Sequence, residues 1–476
     1  MTRLPLSLSW QQVLGATAGI LVVGGLVFAA VRTQLPARRA SDVRPMTLDM
    51  LGSRVLVIAP HPDDESLAPG GLVSSALADG RQVKVVVVTA GDAYRRAALR
   101  IAKGKLNPSV YVELGGLRHK EVRAAVTALG VPAEDLLFLG YQDGSVNSLW
   151  DADWDYSHPH VGANGHNTSP YPFAWEKNAP LCGANLAKNL EQIIRDYKPT
   201  AVVYPDPTDS HHDHWATGAF TDYALNDTGY SGARLGYIVH HGHYPFPWLY
   251  LPSGRVEPPT PLLGIGETWH SLTIGAAAEK AKERAIMQYH TQTAVPDLSV
   301  FMRSFVRTNE IFATWAPVRM GTLAGETPGS QTTPVGATIL SEPVESPIIP
   351  PRRGPWDVAD VAVARGGERV WVGIRPVGTL DPAMRYGVHV RLFGGGAAPE
   401  RIDISVTHEK VGTVRHAANT ADLGGPPEVS TAGGRLWVSL PAKAFASRTR
   451  IMLQTDAEVR AGIRFRSRSL WRTLDL

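Results

Sequence analysis

A single cysteine, Cys182, stands in a chain of 476 residues. That scarcity excludes an internal disulfide framework and any cysteine-rich zinc site, so a metal bound here must sit on histidine, aspartate or glutamate. Charge is also nearly absent in the net. The chain has 47 Lys and Arg against 44 Asp and Glu, a formal charge of +3, which is not the electrostatic footprint of a nucleic-acid binder. No Gly-x-Gly-x-x-Gly and no Gly-x-x-x-x-Gly-Lys-Ser/Thr follows the first expected strand, although Gly70-Gly71 lies nearby. A dinucleotide enzyme is therefore disfavoured. No fixed-period repeat is visible. What is present is a 44 % apolar share and enough length for two or three domains, which excludes disorder throughout.

The one long uncharged stretch runs from Leu4 to Val31, with an apolar centre of 19 residues from Val13 to Val31. This is close to the ~20 residues that cross a bilayer core. It exceeds the apolar run of a signal peptide, and no clean Ala-x-Ala site follows it. The expectation is a tail over 1–9, a single-pass transmembrane anchor over 10–31 and a juxtamembrane linker over 32–50. Arg32, Arg38, Arg39 and Arg44 after the helix place the body in the cytoplasm by the positive-inside rule. The very short tail and a Trp-rich, single-cysteine body suit export instead. The side stays open, with the extracytoplasmic reading preferred.

Residues 51–326 alternate β-branched runs with amphipathic stretches, the pattern of an α/β domain with a Rossmann-like open parallel sheet and flanking helices. Strands are expected at Arg54–Ala59, Val83–Thr89, Leu136–Leu139, Ala201–Tyr204 and Gly236–His240. Helices are expected near Gly70–Ala78, Arg118–Leu129, Gly183–Tyr197, Trp215–Ala224 and Ala276–His290. Between Asp143 and Pro180 lies an aperiodic segment rich in Trp, Tyr, His, Asn, Gly and Pro, read as an ordered loop lining a cleft. Its aromatics could stack on sugar faces, but packing the loop onto the domain is the preferred reading. A Pro/Gly/Thr-rich linker over 327–355 precedes short alternating strands over 356–476, which read as a β-sandwich-like domain.

Two strand ends carry the chemistry. The first strand runs into Pro60-His61-Pro62-Asp63-Asp64-Glu65, and the fourth into Pro205-Asp206-Pro207-Thr208-Asp209-Ser210-His211-His212-Asp213-His214. In open α/β sheets ligands bind outside the carboxyl ends of strands. A catalytic zinc takes three His or carboxylate ligands and leaves a position for water, and His61, Asp64 and one histidine of the second cluster meet that count. Either cluster alone is equally well a helix-capping turn or a solvated loop. Two such clusters on one sheet edge make coincidence a poor explanation.

These residues resemble a known family. Ala59-Pro60-His61-Pro62-Asp63-Asp64-Glu65 resembles the His-Pro-Asp-Asp-Glu signature of the PIG-L/LmbE-like zinc-dependent de-N-acetylases. His211-His212-Asp213-His214 resembles their His-Pro-Asp-His motif, with His212 in place of proline. Thr89-Ala90-Gly91-Asp92, Arg118 with Glu121, Tyr141-Gln142-Asp143-Gly144, and a late helical pattern of Lys282, Ala285, Tyr289, Gln292, Phe305 and Glu310 extend the similarity over about residues 51 to 315. The resemblance implies Zn2+, or another divalent metal, on His61, Asp64 and His214. It implies Asp63 as general base and His211 as the group that stabilises the oxyanion or donates a proton. A cationic His211 would favour the oxyanion. Asp213 is expected to orient one imidazole behind the ligands, Arg118, Asp143 and His240 to touch substrate, and Glu65 to be structural. The implied reaction releases acetate from an N-acetylglucosamine-type sugar in a glycolipid or glycoconjugate. The alternatives are a non-catalytic carbohydrate-binding surface protein and a zinc amidase acting on another amide. A second metal on His158, His160 and His166, or on His240, His241 and His243, is disfavoured because loop histidines usually bond to backbone or solvent.

Overall fold

The computed structural model describes residues 43–102, 105–343, 357–407, 410–416, 422–459 and 466–476. The expected transmembrane segment over 10–31 lies outside them. Among the described residues no helix is long and apolar enough to cross a membrane. Even Pro108–Leu129, at 22 residues, carries Glu113, Arg118, Lys120, Glu121 and Arg123. The reading of a membrane protein held by a single-pass anchor is corrected accordingly.

The strands of the α/β part are β1 (Val43–Met46), β2 (Arg54–Ala59), β3 (Gln82–Thr89), β4 (Leu136–Tyr141), β5 (Ala201–Pro205), β6 (Ala233–Tyr237), β7 (Glu267–Thr273) and β8 (Asn309–Trp315). The helices are α1 (Asp64–Leu67), α2 (Gly70–Ala78), α3 (Arg95–Ala102), α4 (Pro108–Leu129), α5 (Val146–Asp151), α6 (Gly183–Tyr197), α7 (His212–Asp227), α8 (Ala276–Ile286), α9 (His290–Thr293) and α10 (Pro296–Arg303). Among the described residues the sheet order is β1-β7-β8-β6-β5-β2-β3-β4. The five strands expected from the sequence are β2 to β6, and they pair in parallel. The expected all-parallel sheet is nevertheless mixed, because β8 runs antiparallel to both β6 and β7. Strand β7, Glu-Thr-Trp-His-Ser-Leu-Thr, has too few apolar residues for its periodicity to show. Glu310, grouped in the sequence with helical residues, lies on β8.

Side chains alternate across the strands, so Leu56 and Ile58 of β2 face Leu186, Leu190 and Phe220 of α6 and α7 within one buried cluster. Helix α4 begins ten residues before the expected Arg118. Asn107 caps it by accepting the Val110 amide at 3.2 Å, with Pro108 in the first turn, and Gly130 at φ 97° ends it. The Gly115-Gly116 pair hides this first half from propensity. Gly115 is there for close approach: a Cβ would stand 2.2 Å from the Tyr171 hydroxyl.

The order of β4-β3-β2 and then β5-β6 places the topological switch between β2 and β5. The two motif-bearing strand ends are therefore neighbours at the crevice where open α/β sheets bind ligands.

Beyond β8 two further sheets pack face to face. One has the order β10-β12-β13-β18-β17, with β11 on β12: β10 (Gly321–Thr322), β11 (Thr338–Ser341), β12 (Val358–Gly366), β13 (Arg369–Pro376), β17 (Glu428–Ala432) and β18 (Arg435–Pro441). The other has the order β16-β15-β14-β19-β21-β9, with β20 on β19: β9 (Val318–Arg319), β14 (Met384–Phe393), β15 (Glu400–Thr407), β16 (Lys410–His416), β19 (Arg450–Val459), β20 (Arg466–Arg468) and β21 (Arg472–Asp475). Val361, Val363, Val372 and Ile374 of one sheet meet Val388, Val390, Ile404 and Leu453 of the other in a single buried cluster. Within 327–355, read from sequence as linker, Thr338–Ser341 pairs antiparallel with β12. Arg44–Leu476 is one compact unit. Phe393, Met452 and Trp471 of the sandwich belong to the same buried cluster as Leu56 and Phe220.

Candidate active site

At the end of β2 the backbone turns at Asp63, whose φ of 128° is outside the regions open to L-residues and costs on the order of 1–3 kcal/mol. The surroundings hold it there. The Asp63 amide donates to Glu65 Oε2 at 3.0 Å, and Arg118 Nη2 donates to Asp63 Oδ2 at 2.8 Å. Arg118 also donates to the carbonyls of Gly91, at 3.0 Å, and Pro62. Gly91 permits this approach, since a Cβ there would stand 2.2 Å from Arg118 Nη1. Arg118 is only 3 % exposed. It lies behind Asp63 with both Nη groups engaged and Nε buried without a partner, so the expectation that it touches substrate is corrected to one of holding the carboxylate. Burial raises the Asp63 carboxyl to about 8, against the pull of Arg118 and with a further push from Asp64. Such a group exchanges a proton near neutrality.

His61, Asp64 and His214 converge on one point. His61 Nδ1 is 3.2 Å from Asp64 Oδ2 and 3.2 Å from His214 Nε2, and the remaining edge, His214 Nε2 to Asp64 Oδ2, is also 3.2 Å. A tetrahedral ion with bonds of about 2.0–2.1 Å holds its ligand atoms about 3.3 Å apart. The outer ring nitrogens fix the tautomers. His61 Nε2 faces Asp213 Oδ2 at 3.1 Å and Asp143 Oδ1 at 3.2 Å, and His214 Nδ1 faces Asp209 Oδ2 at 3.1 Å. With protons on those outer nitrogens, both lone pairs point at the same place as the Asp64 carboxylate.

The electrostatics agree with the geometry. Burial pushes His61 down, yet Asp143, Asp213 and Asp64 raise it well above the ordinary imidazole value. Burial likewise lowers His214, while Asp209 and Asp64 lift it to about 10. The surrounding carboxylates thus favour positive charge at the centre. Two imidazoles facing each other at 3.2 Å cannot both carry protons on the facing atoms, whereas a dication satisfies both lone pairs and the carboxylates together. The donor set, two imidazole nitrogens and a carboxylate, fits zinc or a comparable divalent ion.

His211 caps the N-terminus of α7, and its Nδ1 accepts the Asp213 amide at 3.3 Å. Burial, then the charge of His214, His61 and His240, pushes this imidazole down to about 2. The expected cationic His211 is therefore corrected to a neutral ring whose Nε2–H is the free donor. His212 is exposed at the first helical position, where proline is at home because the amide there needs no intrahelical partner. Its replacement of proline thus leaves the other two histidines where the motif needs them.

Asp213 is fully buried and accepts the amides of Gly144, at 2.6 Å, and Val146, at 3.0 Å, besides facing His61. The imidazole it orients is that of His61. Asp143, expected at the substrate, instead faces His61 Nε2, and its amide donates to Asp92 Oδ1 at 2.9 Å. Despite burial, the charge of His61 holds the Asp143 carboxyl down at about 2. His240 lies at the rim, its ring 4.9 Å from that of His214 and stacked on Phe301 at 5.5 Å. Glu65 is engaged by Ser66 at 2.5 Å and by Tyr289, in the structural role expected. Among the described residues the clusters able to hold a metal draw on His61, His211, His214, His240, Asp64, Asp143 and Asp213, and on none of His158, His160, His166, His241 or His243.

Sequence reasoning passed over Asp209 and Asp92. Asp209 accepts from His214, from the amides of Val239 and His240 at 2.7 and 3.0 Å, and from the His211 amide at 3.0 Å. Its position five residues before His214 was the available signal. Asp92 accepts from Asn164 at 2.9 Å and Tyr171 at 2.8 Å, tying the long loop to the rear of the site. The loop aromatics mostly pack inward, with Trp150 fully buried against Trp154, Phe220, Tyr223 and Trp471. Tyr156 and Trp175 are the exposed ones.

A buried three-donor cluster at the switch point of an α/β sheet is an arrangement that could hold a divalent cation. Residues 56–225 match the family described as PIG-L: GlcNAc-PI de-N-acetylase. The 1D-myo-inositol 2-acetamido-2-deoxy-alpha-D-glucopyranoside deacetylase of Tsukamurella paurometabola is 28 % identical over 181 residues, 38 % of this chain and 57 % of that protein. Its namesake from Mycobacterium leprae is 31 % identical over 202 residues, 41 % of this chain and 56 % of that protein. The chain thus spans little more than half the length of these relatives. A solved structure of an A40926 pseudoaglycone deacetylase is 22 % identical, with a TM-score of 0.37 over 55 % of this chain and 96 % of that one; so loose an overlap adds nothing to the assignment.

Proposed function

We propose that the protein hydrolyses the N-acetyl group of an N-acetylglucosamine-type sugar, carried on a glycolipid or another glycoconjugate, and releases acetate. The observation that carries this reading is the equal-sided triangle of His61 Nδ1, Asp64 Oδ2 and His214 Nε2 with Asp63 beside it. The named substrates of the relatives, which contain a 2-acetamido-2-deoxyglucose unit, support the choice of sugar.

His61, Asp64 and His214 would hold Zn2+ or another divalent ion, which supplies Lewis acidity and water activation when bound. Asp63, held at 2.8 Å by Arg118, takes a proton from the attacking water and returns it to the departing amine. His211 presents Nε2–H to the oxygen on which negative charge develops; burial favours its neutral state, and the helix amide takes Nδ1 as acceptor. Asp213 and Asp143 hold the His61 ring, and Asp209 the His214 ring, so that the donor atoms keep their directions.

The test is acetate release from N-acetylglucosamine derivatives, with lipid and glycan aglycones compared. Release should stop on chelation and return with zinc. Full activity in both Asp63→Ala and His214→Ala would falsify the assignment.

A further inference from the structure

The C-terminal sandwich lies outside residues 56–225, yet it touches the part of the α/β domain that steadies the site. Helix α5 is six residues long and has no side-chain N-cap bond, too short to hold itself in water. Its entry residues Gly144 and Val146 donate to Asp213, the carboxylate behind His61. Its exit is held from the sandwich. Arg401 of β15 donates from Nη2 to the Trp150 carbonyl at 2.9 Å, and its guanidinium lies 4.1 Å over the Trp154 ring. Arg468 of β20 forms a two-pronged pair with Asp151, one prong at 3.2 Å, and lies 4.8 Å over Trp215, the residue after His214.

These contacts are directional as well as adhesive. The Trp150 carbonyl is among the last of a helix, where intrahelical donors have run out, and a carboxylate at a helix C-terminus is disfavoured until a cation meets it. Arg401 answers the first need and Arg468 the second. Apolar packing of Trp150 on Trp471 and Phe220 would bury area without fixing the angle of the helix.

We propose that the C-terminal β-sandwich is a working part of the cation site: Arg401 and Arg468 are positioning residues that grip the end of α5 and so hold Gly144 and Val146 against Asp213. The consequence for catalysis rests on the functional reading above, whereas the grip itself does not.

The test uses the full chain with Arg401→Leu and Arg468→Ala, the charge-exchanged pair Asp151→Arg with Arg468→Asp, and Arg435→Gln as control. Arg435 pairs with Asp360 at 2.5 Å inside the sandwich and has no part in the contacts of α5. Hydrogen exchange at the Gly144 and Val146 amides should speed up at least about tenfold in the two single variants and return towards the parent rate in the exchanged pair. Zinc affinity, read by chelator competition with the metal alone, should fall about 10-fold, and kcat should fall with KM for the N-acetyl sugar unchanged. Arg435→Gln should lower the melting temperature and leave all of these as in the parent. Unchanged amide exchange in Arg401→Leu and Arg468→Ala, or equal acceleration in Arg435→Gln, overturns the proposal. A parent that neither binds zinc nor releases acetate removes the functional reading, and the exchange rates then still decide the grip.

Discussion

Asp209→Asn tests whether the outer carboxylates set the strength of the cation site. In the parent, Asp209 Oδ2 takes three donors, His214 Nδ1 at 3.1 Å and the amides of Val239 and His240 at 2.7 and 3.0 Å, while Oδ1 takes the His211 amide at 3.0 Å. Despite burial, the charge of His214 holds this carboxyl well below the usual carboxylate range. An asparagine keeps the shape, but only one of its two heads accepts. If the oxygen stays on the three-donor side, the amide NH2 confronts the His211 N–H; if it flips, His214 Nδ1–H loses its acceptor. In either case a charge-assisted bond worth about 1.5–3 kcal/mol is lost at a buried position. That corresponds to about 10- to 100-fold weaker zinc binding, which chelator competition reads directly. Acetate release should recover at saturating zinc, and KM for the sugar should hold. Asp206→Asn is the control: Asp206 is equally buried, but bonds Thr208 and Trp315 rather than an imidazole. Unchanged zinc affinity in Asp209→Asn, or an equal loss in Asp206→Asn, would refute the reasoning.

Further outcomes concern the neighbouring charges. Because Arg118 opposes the burial that raises Asp63, Arg118→Met should move the acid limb of the pH profile of kcat/KM to higher pH, and an unmoved limb would separate Asp63 from the titrating base. Lys282 and Glu310 pair at 2.6 Å with both side chains 2 % exposed, so Lys282→Met alone should cost about 3–5 kcal/mol in urea denaturation, and the double change with Glu310→Gln less than the sum. A purely additive result would remove the coupling. Burial raises Glu342 to about 8, so its contribution to stability is complete below the ordinary glutamate range and is lost as pH rises towards 8. Glu342→Gln should accordingly flatten the fall in melting temperature between pH 5 and pH 8, and parallel curves would contradict that assignment.

The legible part of the fold is the part written in continuous apolar runs. Val85-Val86-Val87-Val88 and Val55 to Ala59 are buried on both faces, and a sheet covered on both faces leaves no other place for such runs. Strands β7 and β8 carry polar residues at several positions, which hides their period, and the first half of α4 hides behind two glycines, of which Gly115 serves the approach of Tyr171. For the site, the spacing His-Pro-Asp-Asp and His-His-Asp-His is local and survives in the sequence, because each cluster occupies one strand end. The partners of those residues are mostly not local. Asp213 with His61 is a contact across 152 residues and Arg118 with Asp63 one across 55, whereas Asp209 with His214 spans only five.

The same distinction explains which expectations about side-chain roles had to change. The resemblance implies substrate contact for Arg118 and Asp143 and a charge-stabilising role for His211, and in each, polar atoms are engaged by partners, distant in sequence for the first two and two residues away for the third. Arg118 is turned inward by the carbonyls of Pro62 and Gly91 and Asp143 by His61, while burial lowers His211 and the amide of Asp213 at a helix start takes its Nδ1. A donor's identity can be read from sequence, but whether its polar atoms are free is a property of the fold. His211 is the informative case. A cap position that fixes Nδ1 as acceptor leaves Nε2–H as donor, so hydrogen-bond donation without net charge is the role its geometry supports. His211→Asn, which retains both capping and donation, should therefore keep more activity than His211→Lys, which adds the charge. The opposite order in kcat would restore the cationic reading.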